Sequence, residues 1–222
     1  MTIQIDAFSQ CIPKFGEELC GDQVKIIHGE RGFTAVLADS CGGGTKAALM
    51  TSFTVTMIET MCRNDVPIGQ IADMIVESQP TAAQEGSAGI VPFTLLHLLF
   101  ANKKLSIEQF GTPDVLFLRR GKAVPLPASR RILQGKLIRS GEIAAAQADT
   151  IIAVGSGMLS AGAERQLKNG WGLGTLAAYM ENAYRPRVSA ETLARLLVAA
   201  GNSLSYGRPS MDLSALVCRM KA

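Results

Sequence analysis

Three aspartates stand where the character of the chain changes abruptly. Asp22 follows Gly21 at the mouth of a strand-like run, Asp39 ends the apolar stretch Ala35-Val36-Leu37-Ala38, and Asp212 opens the last strand-like segment. Ser40-Cys41-Gly42-Gly43-Gly44 follows directly after Asp39. A carboxylate at a strand end beside a glycine loop suits a hard divalent cation, because glycine lets backbone carbonyls and water enter the coordination shell. An aspartate in such a place is more often an Asx-turn or helix-cap residue, so the spacing alone does not choose.

Other arrangements that could carry chemistry are incomplete. Gly42-Gly43-Gly44-Thr45-Lys46 looks like a phosphate-cradling loop, but Lys46 follows Thr45 where a P-loop has Lys before Ser or Thr. It reads as a tight turn into a helix N-terminus, a place that can still attract an anion. Gly155-Ser156-Gly157 is flanked by Val154 and Met158, so it is not the GxSxG elbow of a serine hydrolase. His28 and His97 lie in apolar runs without an acid nearby in sequence. Cys41 beside the glycine loop invites a nucleophile or redox-sensor reading, but cysteine more readily fills small apolar space. The methionines and Trp171 read as core.

The elements that must position these residues follow from periodicity. Ile3, Ile5 and Ala7 alternate with polar neighbours, and Gln23–Gly29 and Gly32–Asp39 form two strand-like runs joined by a tight turn. Thr45 is a natural N-cap for a helix that runs toward Asn64-Asp65, and a second helix spans Ile68–Ser78. Short strands then follow at Ile90–Phe100, Leu105–Phe110, Val115–Arg119 and Ala123–Leu126, the spacing of an antiparallel meander. Further strands are expected near Lys136–Ser140 and Thr150–Val154. Helices at Gly172–Tyr184 and Ser189–Leu204, the second with Ser189 as its N-cap, and a strand at Leu213–Met220 close the chain. Strands segregated from paired helices predict an α+β layered fold, in one domain over residues 1–222.

Composition narrows the classes of function. The 222 residues carry 22 Lys and Arg against 19 Asp and Glu, a net charge of +3, and the basic residues cluster only in pairs. That excludes a nucleic-acid footprint, so no nucleic-acid partner is expected. At 47% hydrophobic the chain is no disordered segment. The longest apolar run, Gly89 to Ala101, is shorter than the roughly 18 residues a span requires, so no membrane partner is expected either. Five scattered cysteines without a CxxC pair argue against a disulfide framework or zinc site and for a reducing cytoplasm. Nothing in the sequence fixes an oligomeric state.

Several stretches, in order, resemble the stage II sporulation protein E-like branch of the type-2C metal-dependent Ser/Thr protein phosphatases. Lys14–Asp22 (KFGEELCGD) resembles the family's opening signature, and Ala35–Ala48 (AVLADSCGGGTKAA) its apolar strand, Ala-Asp-Gly and glycine loop. Gly111–Leu126 (GTPDVLFLRRGKAVPL) is similar to its proline, aliphatic strand and Arg-x-Gly-Lys hairpin. Thr150–Gly162 resembles its aliphatic strand, Ser-Asp-Gly and helix, and Gly170-Trp171 the Gly-Trp that follows. Tyr206–Arg219 (YGRPSMDLSALVCR) resembles its closing Asp-Asp-x-Thr strand.

The resemblance implies an αββα sandwich of two antiparallel sheets flanked by helix pairs, and hydrolysis of phosphoserine or phosphothreonine on a regulatory protein. It implies two Mn²⁺ or Mg²⁺ ions, with Asp39 matching the bridging aspartate, Asp22 the aspartate of Gly-Asp, and Ser40 lending a backbone carbonyl. Asp39 and Asp22 are then the catalytic pair. Two ligand positions depart from the pattern: Ser156 stands in place of the aspartate of Ser-Asp-Gly, and Met211 in place of the first aspartate of Asp-Asp-x-Thr, with Asp212 next to it. Two divalent ions bring four positive charges about 3.5–4 Å apart, which calls for a dense carboxylate shell. A hydroxyl is a poor substitute and a thioether is mismatched to hard cations. One weak metal site at Asp22, Asp39 and Ser40, or none, is expected, with Asp212 as an improvised third carboxylate. The alternative implied by Ser156 and Met211 is a pseudophosphatase kept as a phosphoprotein- or partner-binding module. A purely structural domain of a larger assembly is a third reading.

Overall fold

The computed structural model describes residues 4–40, 42, 44–80, 89–163 and 167–221. The chain divides into two compact units, one made of residues 1–20, 113–125 and 146–222 and the other of residues 21–112 and 126–145. Each contains one antiparallel sheet and a pair of longer helices, so the α+β class holds, but the expected four-strand meander is divided: Phe93–Leu99 and Lys104–Phe110 pair in one sheet, Leu116–Arg119 and Lys122–Ala123 in the other.

The first unit is built on five strands: β1 (Gln4–Ile12), β6 (Leu116–Arg119), β7 (Lys122–Ala123), β10 (Asp149–Val154) and β11 (Leu213–Lys221), in the order β1-β11-β10-β6-β7. Its longer helices are α4 (Leu173–Ala183) and α5 (Ala190–Leu204), and a single turn, α3 (Ser156–Ser160), follows β10. In α5 the residues Ala190, Leu193, Ala194, Leu197 and Val198 recur on one face and join a core with Leu213, Ala215, Val217 and Ile152. The predicted N-cap is in place: Ser189 accepts the Thr192 N–H at 3.1 Å. Asp6 adds a second acceptor, taking the Ala190 N–H at 3.0 Å, which fastens β1 to the start of α5.

The second unit holds β2 (Gln23–His28), β3 (Gly32–Ala38), β4 (Phe93–Leu99), β5 (Lys104–Phe110), β9 (Lys136–Ala144) and β8 (Ala128–Leu133), adjacent in that order. Its helices α1 (Gly44–Arg63) and α2 (Ile68–Ser78) bury Val55 and Ile58 from one, and Ile68, Ile71, Ala72, Ile75 and Val76 from the other, against Val36, Ala38, Phe93 and Leu95. Arg131 clamps α2 to the sheet, donating to Asp73 at 2.8 Å and to Glu108 at 2.8 Å, while Ser140 also donates to Glu108 at 2.7 Å.

Several expectations need correction. The strand β8 has no counterpart in the reading of the sequence, because it is an exposed edge with the polar run Ser129-Arg130-Arg131 and shows no clean alternation. Its turn, Gln134-Gly135, has both residues at positive φ, the signature of a two-residue hairpin. The strand expected at Ala123–Leu126 shrinks to the two residues of β7, since the segment beyond it is rich in proline. The helix α1 starts at Gly44, one residue before Thr45. Cys11 and Cys20 are bonded, their Cα atoms 6.6 Å apart, a single bridge that the scattered cysteines did not announce. Their separation of nine residues carries no recognisable spacing, and only the return of the chain after β1 brings them together.

Candidate functional site

The β2–β3 ladder pairs Gln23 with Ala38, so Asp22 and Asp39 flank the same end of that pair, one residue beyond it on each strand. Both are buried, at 4% exposure, as is Ser40 at 5%. Asp22 accepts the Ser40 N–H through Oδ1 at 2.8 Å. The Asp39 N–H donates to the Pro92 carbonyl at 2.8 Å, which ties the end of β3 to the segment entering β4. The Ser40 carbonyl accepts the Gly42 N–H at 3.1 Å, and a carbonyl oxygen has a second lone pair available to a metal. Gly42 has a φ of 121°, so this tight turn needs a residue that tolerates left-handed backbone. Cys41 and Gly43 lie outside the described residues, and with Cys41 goes the nucleophile or redox-sensor reading.

The remaining ligand positions belong to the first unit. Asp212 is buried at 4% exposure and accepts the Lys14 N–H through Oδ1 at 2.7 Å. It immediately precedes β11, whose register is fixed on both sides, Leu213 opposite Ile12 and Ala215 opposite Val154. A one-residue slip to bring Asp212 into the position of Met211 would invert the faces of the whole strand. Met211 packs its sulfur 3.6 Å from the Ser160 hydroxyl. Ser156 begins α3, and a Cβ on the next residue, Gly157, would stand 2.1 Å from the Asp212 carbonyl. That glycine is required by close approach of two backbones.

These donors fit one hard cation in part and a second poorly. Asp22, Asp39 and the Ser40 carbonyl supply two carboxylates and a neutral oxygen, a donor set that Mg²⁺ accepts when water and substrate oxygens complete its octahedron. The register of the ladder places both aspartates at one strand-pair end, on neighbouring strands. For a second ion the first unit offers a hydroxyl, a thioether and a carboxylate already bonded to a backbone amide. Among the described residues no group of three or more His, Cys, Asp or Glu side chains gathers as a metal cluster.

The other titratable candidates do not compete. His97 shares a 2.8 Å hydrogen bond with the Thr34 hydroxyl, and burial lowers its pKa, so it is neutral. His28 packs edge-on to Phe33. Burial pushes the Cys62 thiol up to about 11 and raises that of Cys218 further, so neither is a nucleophile at neutral pH. What sequence reasoning missed is the role of Thr51, whose buried hydroxyl donates to the Gly21 carbonyl just before Asp22. A threonine among the apolar positions of α1 was the available signal.

The family described as Stage II sporulation protein E matches residues 29–221. A search of curated protein sequences finds no match. Among solved structures, the phosphatase domain of the cell fate determinant SpoIIE from Bacillus subtilis is similar at 13% identity, covering 99% of this chain and 93% of that one with a TM-score of 0.73. The PP2C phosphatase domain of the same determinant, with a fragment of its regulatory domain, gives a TM-score of 0.82 at 14% identity; 99% of this chain is covered, and it spans 63% of that one. RsbX in complex with magnesium gives 0.69 at 11% identity, with both chains covered completely. At these identities the likeness establishes the fold.

Proposed function

The chain belongs to the stage II sporulation protein E family, and from that premise we propose a PP2C-type phosphatase domain with a reduced metal shell, acting on a phosphorylated serine or threonine of a regulatory protein. The observation that carries this reading is the pair of buried aspartates, Asp22 and Asp39, flanking one end of the β2–β3 ladder beside Ser40. Their carboxylates and the Ser40 carbonyl would hold a single Mn²⁺ or Mg²⁺. Bound there, a divalent cation neutralises phosphate charge and acidifies a coordinated water. The protein's own part is to orient Asp22 through the Ser40 amide and to keep both carboxylates buried, where they attract a cation more strongly than in water.

A second reading, a pseudophosphatase that recognises a phosphoprotein without hydrolysing it, is favoured by the neutral side chains of Ser156 and Met211 and by the bond between Asp212 and the Lys14 amide. One experiment separates the two. Mn²⁺ is titrated into the purified protein by calorimetry while hydrolysis of an aryl phosphate is followed in the same samples. Saturable binding with metal-dependent turnover, the binding weakened about tenfold and the turnover lost in Asp39→Asn, is expected for the enzyme. No turnover, with one weak metal site or none, favours the binding module.

A further inference from the structure

Thr51 is the eighth residue of α1 and is fully buried, in the stripe that also contains Thr54, Val55 and Ile58. A threonine inside a helix ordinarily returns its hydroxyl proton to the carbonyl four residues earlier. Here three carbonyls are within reach: Ala47 at 3.1 Å, Ala48 at 3.1 Å and, closest of all, Gly21. A hydroxyl carries one proton and bonds one acceptor well. The geometry assigns that proton to Gly21, which lies outside the helix and thirty residues earlier in the chain.

We infer that Thr51 is a positioning residue for Asp22: its hydroxyl fixes the Gly21–Asp22 peptide against α1, and Asp22 in turn fixes Ser40. The links are continuous. Thr51 holds the Gly21 carbonyl, Gly21 is bonded to Asp22, and Asp22 Oδ1 takes the Ser40 N–H at 2.8 Å, with Gly21, Asp22 and Ser40 all buried. Rotation of the Gly21–Asp22 peptide plane would swing the Asp22 side chain away from Ser40. Valine has nearly the same shape as threonine and would pack this stripe equally well, but it would remove the hydrogen bond that ties the buried Gly21 carbonyl to α1. The hydroxyl, not the bulk, is the reason for threonine.

This inference rests on the reading of Asp22 as a metal ligand, but its structural half does not, and the test separates them. In Thr51→Val, hydrogen exchange at the Ser40 amide is expected to accelerate about tenfold or more, because the opening that exposes it becomes easier. Mn²⁺ affinity measured by calorimetry is expected to fall by about tenfold, the usual effect of removing a group that orients a ligand. Thr51→Ser keeps the donor and restores both to within about twofold. A folded Thr51→Val protein with unchanged Ser40 exchange overturns the inference, and so does Thr51→Ser behaving like Thr51→Val. Should the valine variant not fold, NMR of the wild-type protein decides: a slowly exchanging Thr51 hydroxyl proton coupled through its hydrogen bond to the Gly21 carbonyl carbon is expected, and absence of that coupling overturns it. If the wild type itself takes no Mn²⁺, the metal reading fails while Ser40 exchange still judges Thr51.

Discussion

In the first unit three aspartates each hold a backbone amide: Asp6 takes that of Ala190, Asp149 that of Ala146, and Asp212 that of Lys14. Lys221 is paired with Asp6, and the Arg119 guanidinium grips both oxygens of Asp149, at 3.1 and 3.0 Å. In the second unit Asp22 also takes an amide, that of Ser40, but it flanks a ladder end with a second buried aspartate on the opposite strand. A carboxylate matched by an amide and a neighbouring cation has its charge balanced inside the protein, and its contribution is read as stability. Two aspartates at one strand-pair end, beside the Ser40 carbonyl, offer instead the oxygen donors of a cation site. Residue type does not distinguish a ligand from a cap; the company each aspartate keeps does.

The largest effect should come from making the first unit resemble the second. Ser156→Asp with Met211→Asp adds two hard ligands, and calorimetry should show Mn²⁺ affinity rising about a hundredfold, since ligand charge count tunes such sites over decades. Metal-dependent hydrolysis should rise with it. A flat affinity would break the comparison, because those positions would then have no part in metal binding. Next comes Gly157→Ala. Its Cβ would lie 2.1 Å from the Asp212 carbonyl, so thermal unfolding should show a loss of about 1–3 kcal/mol, while Gly174→Ala, in open space on α4, should gain about 0.5–1 kcal/mol.

A smaller effect separates two chemically identical substitutions. Asp39→Asn should lower Mn²⁺ affinity about tenfold, equivalent to about 1.4 kcal/mol, whereas Asp212→Asn should leave it within about twofold. Asparagine at 212 keeps an oxygen to accept the Lys14 N–H, so its melting temperature should hardly move. The reverse ordering would assign the metal to the wrong aspartate.

Much of this was legible in the sequence, and the reasons are specific. The bounds of α2 and the N-cap at Ser189 are local patterns, and both stand as the spacing predicts. The glycine neighbours of Asp22 and Asp39 mark them as candidates, and the match over residues 29–221 supports the family resemblance over a stretch that includes Asp39 but not Asp22. The contacts that decide their use were not legible. The partner of Asp212 is 198 positions away, that of Thr51 thirty, and the bridge from Cys11 to Cys20 forms only when the chain turns back after β1. The edge strand β8 escaped because its residues are exposed and polar, leaving only the turn at Gln134-Gly135 as a sign.

The smallest effect tests the structural half of the comparison by pH. Burial works to raise the pKa of Asp6, but the hydrogen bonds from Lys221 and the Ala190 amide and the nearby charges of Lys221 and Arg219 outweigh it, so its carboxyl titrates below the ordinary value of 3.8. A carboxyl whose pKa is lower in the folded than in the unfolded state adds stability that is fully present above the unfolded value. That stability disappears as the pH falls through the folded value. Asp6→Asn keeps an acceptor for the Ala190 N–H but loses the charge at the N-terminus of α5 and the pairing with Lys221. At pH 7 the variant should therefore be less stable by about 0.5–1 kcal/mol, a modest figure because the ion pair is partly exposed to water. The gap should narrow from about pH 4 downward, around the ordinary carboxyl value, and close once Asp6 is protonated. Mn²⁺ affinity at neutral pH should be unchanged. Denaturant melts of both proteins from neutral to acid pH check the sign. A gap that persists in acid would mean that Asp6 acts by shape and not by charge, and the division between carboxylates that stabilise and carboxylates that bind would lose its clearest case.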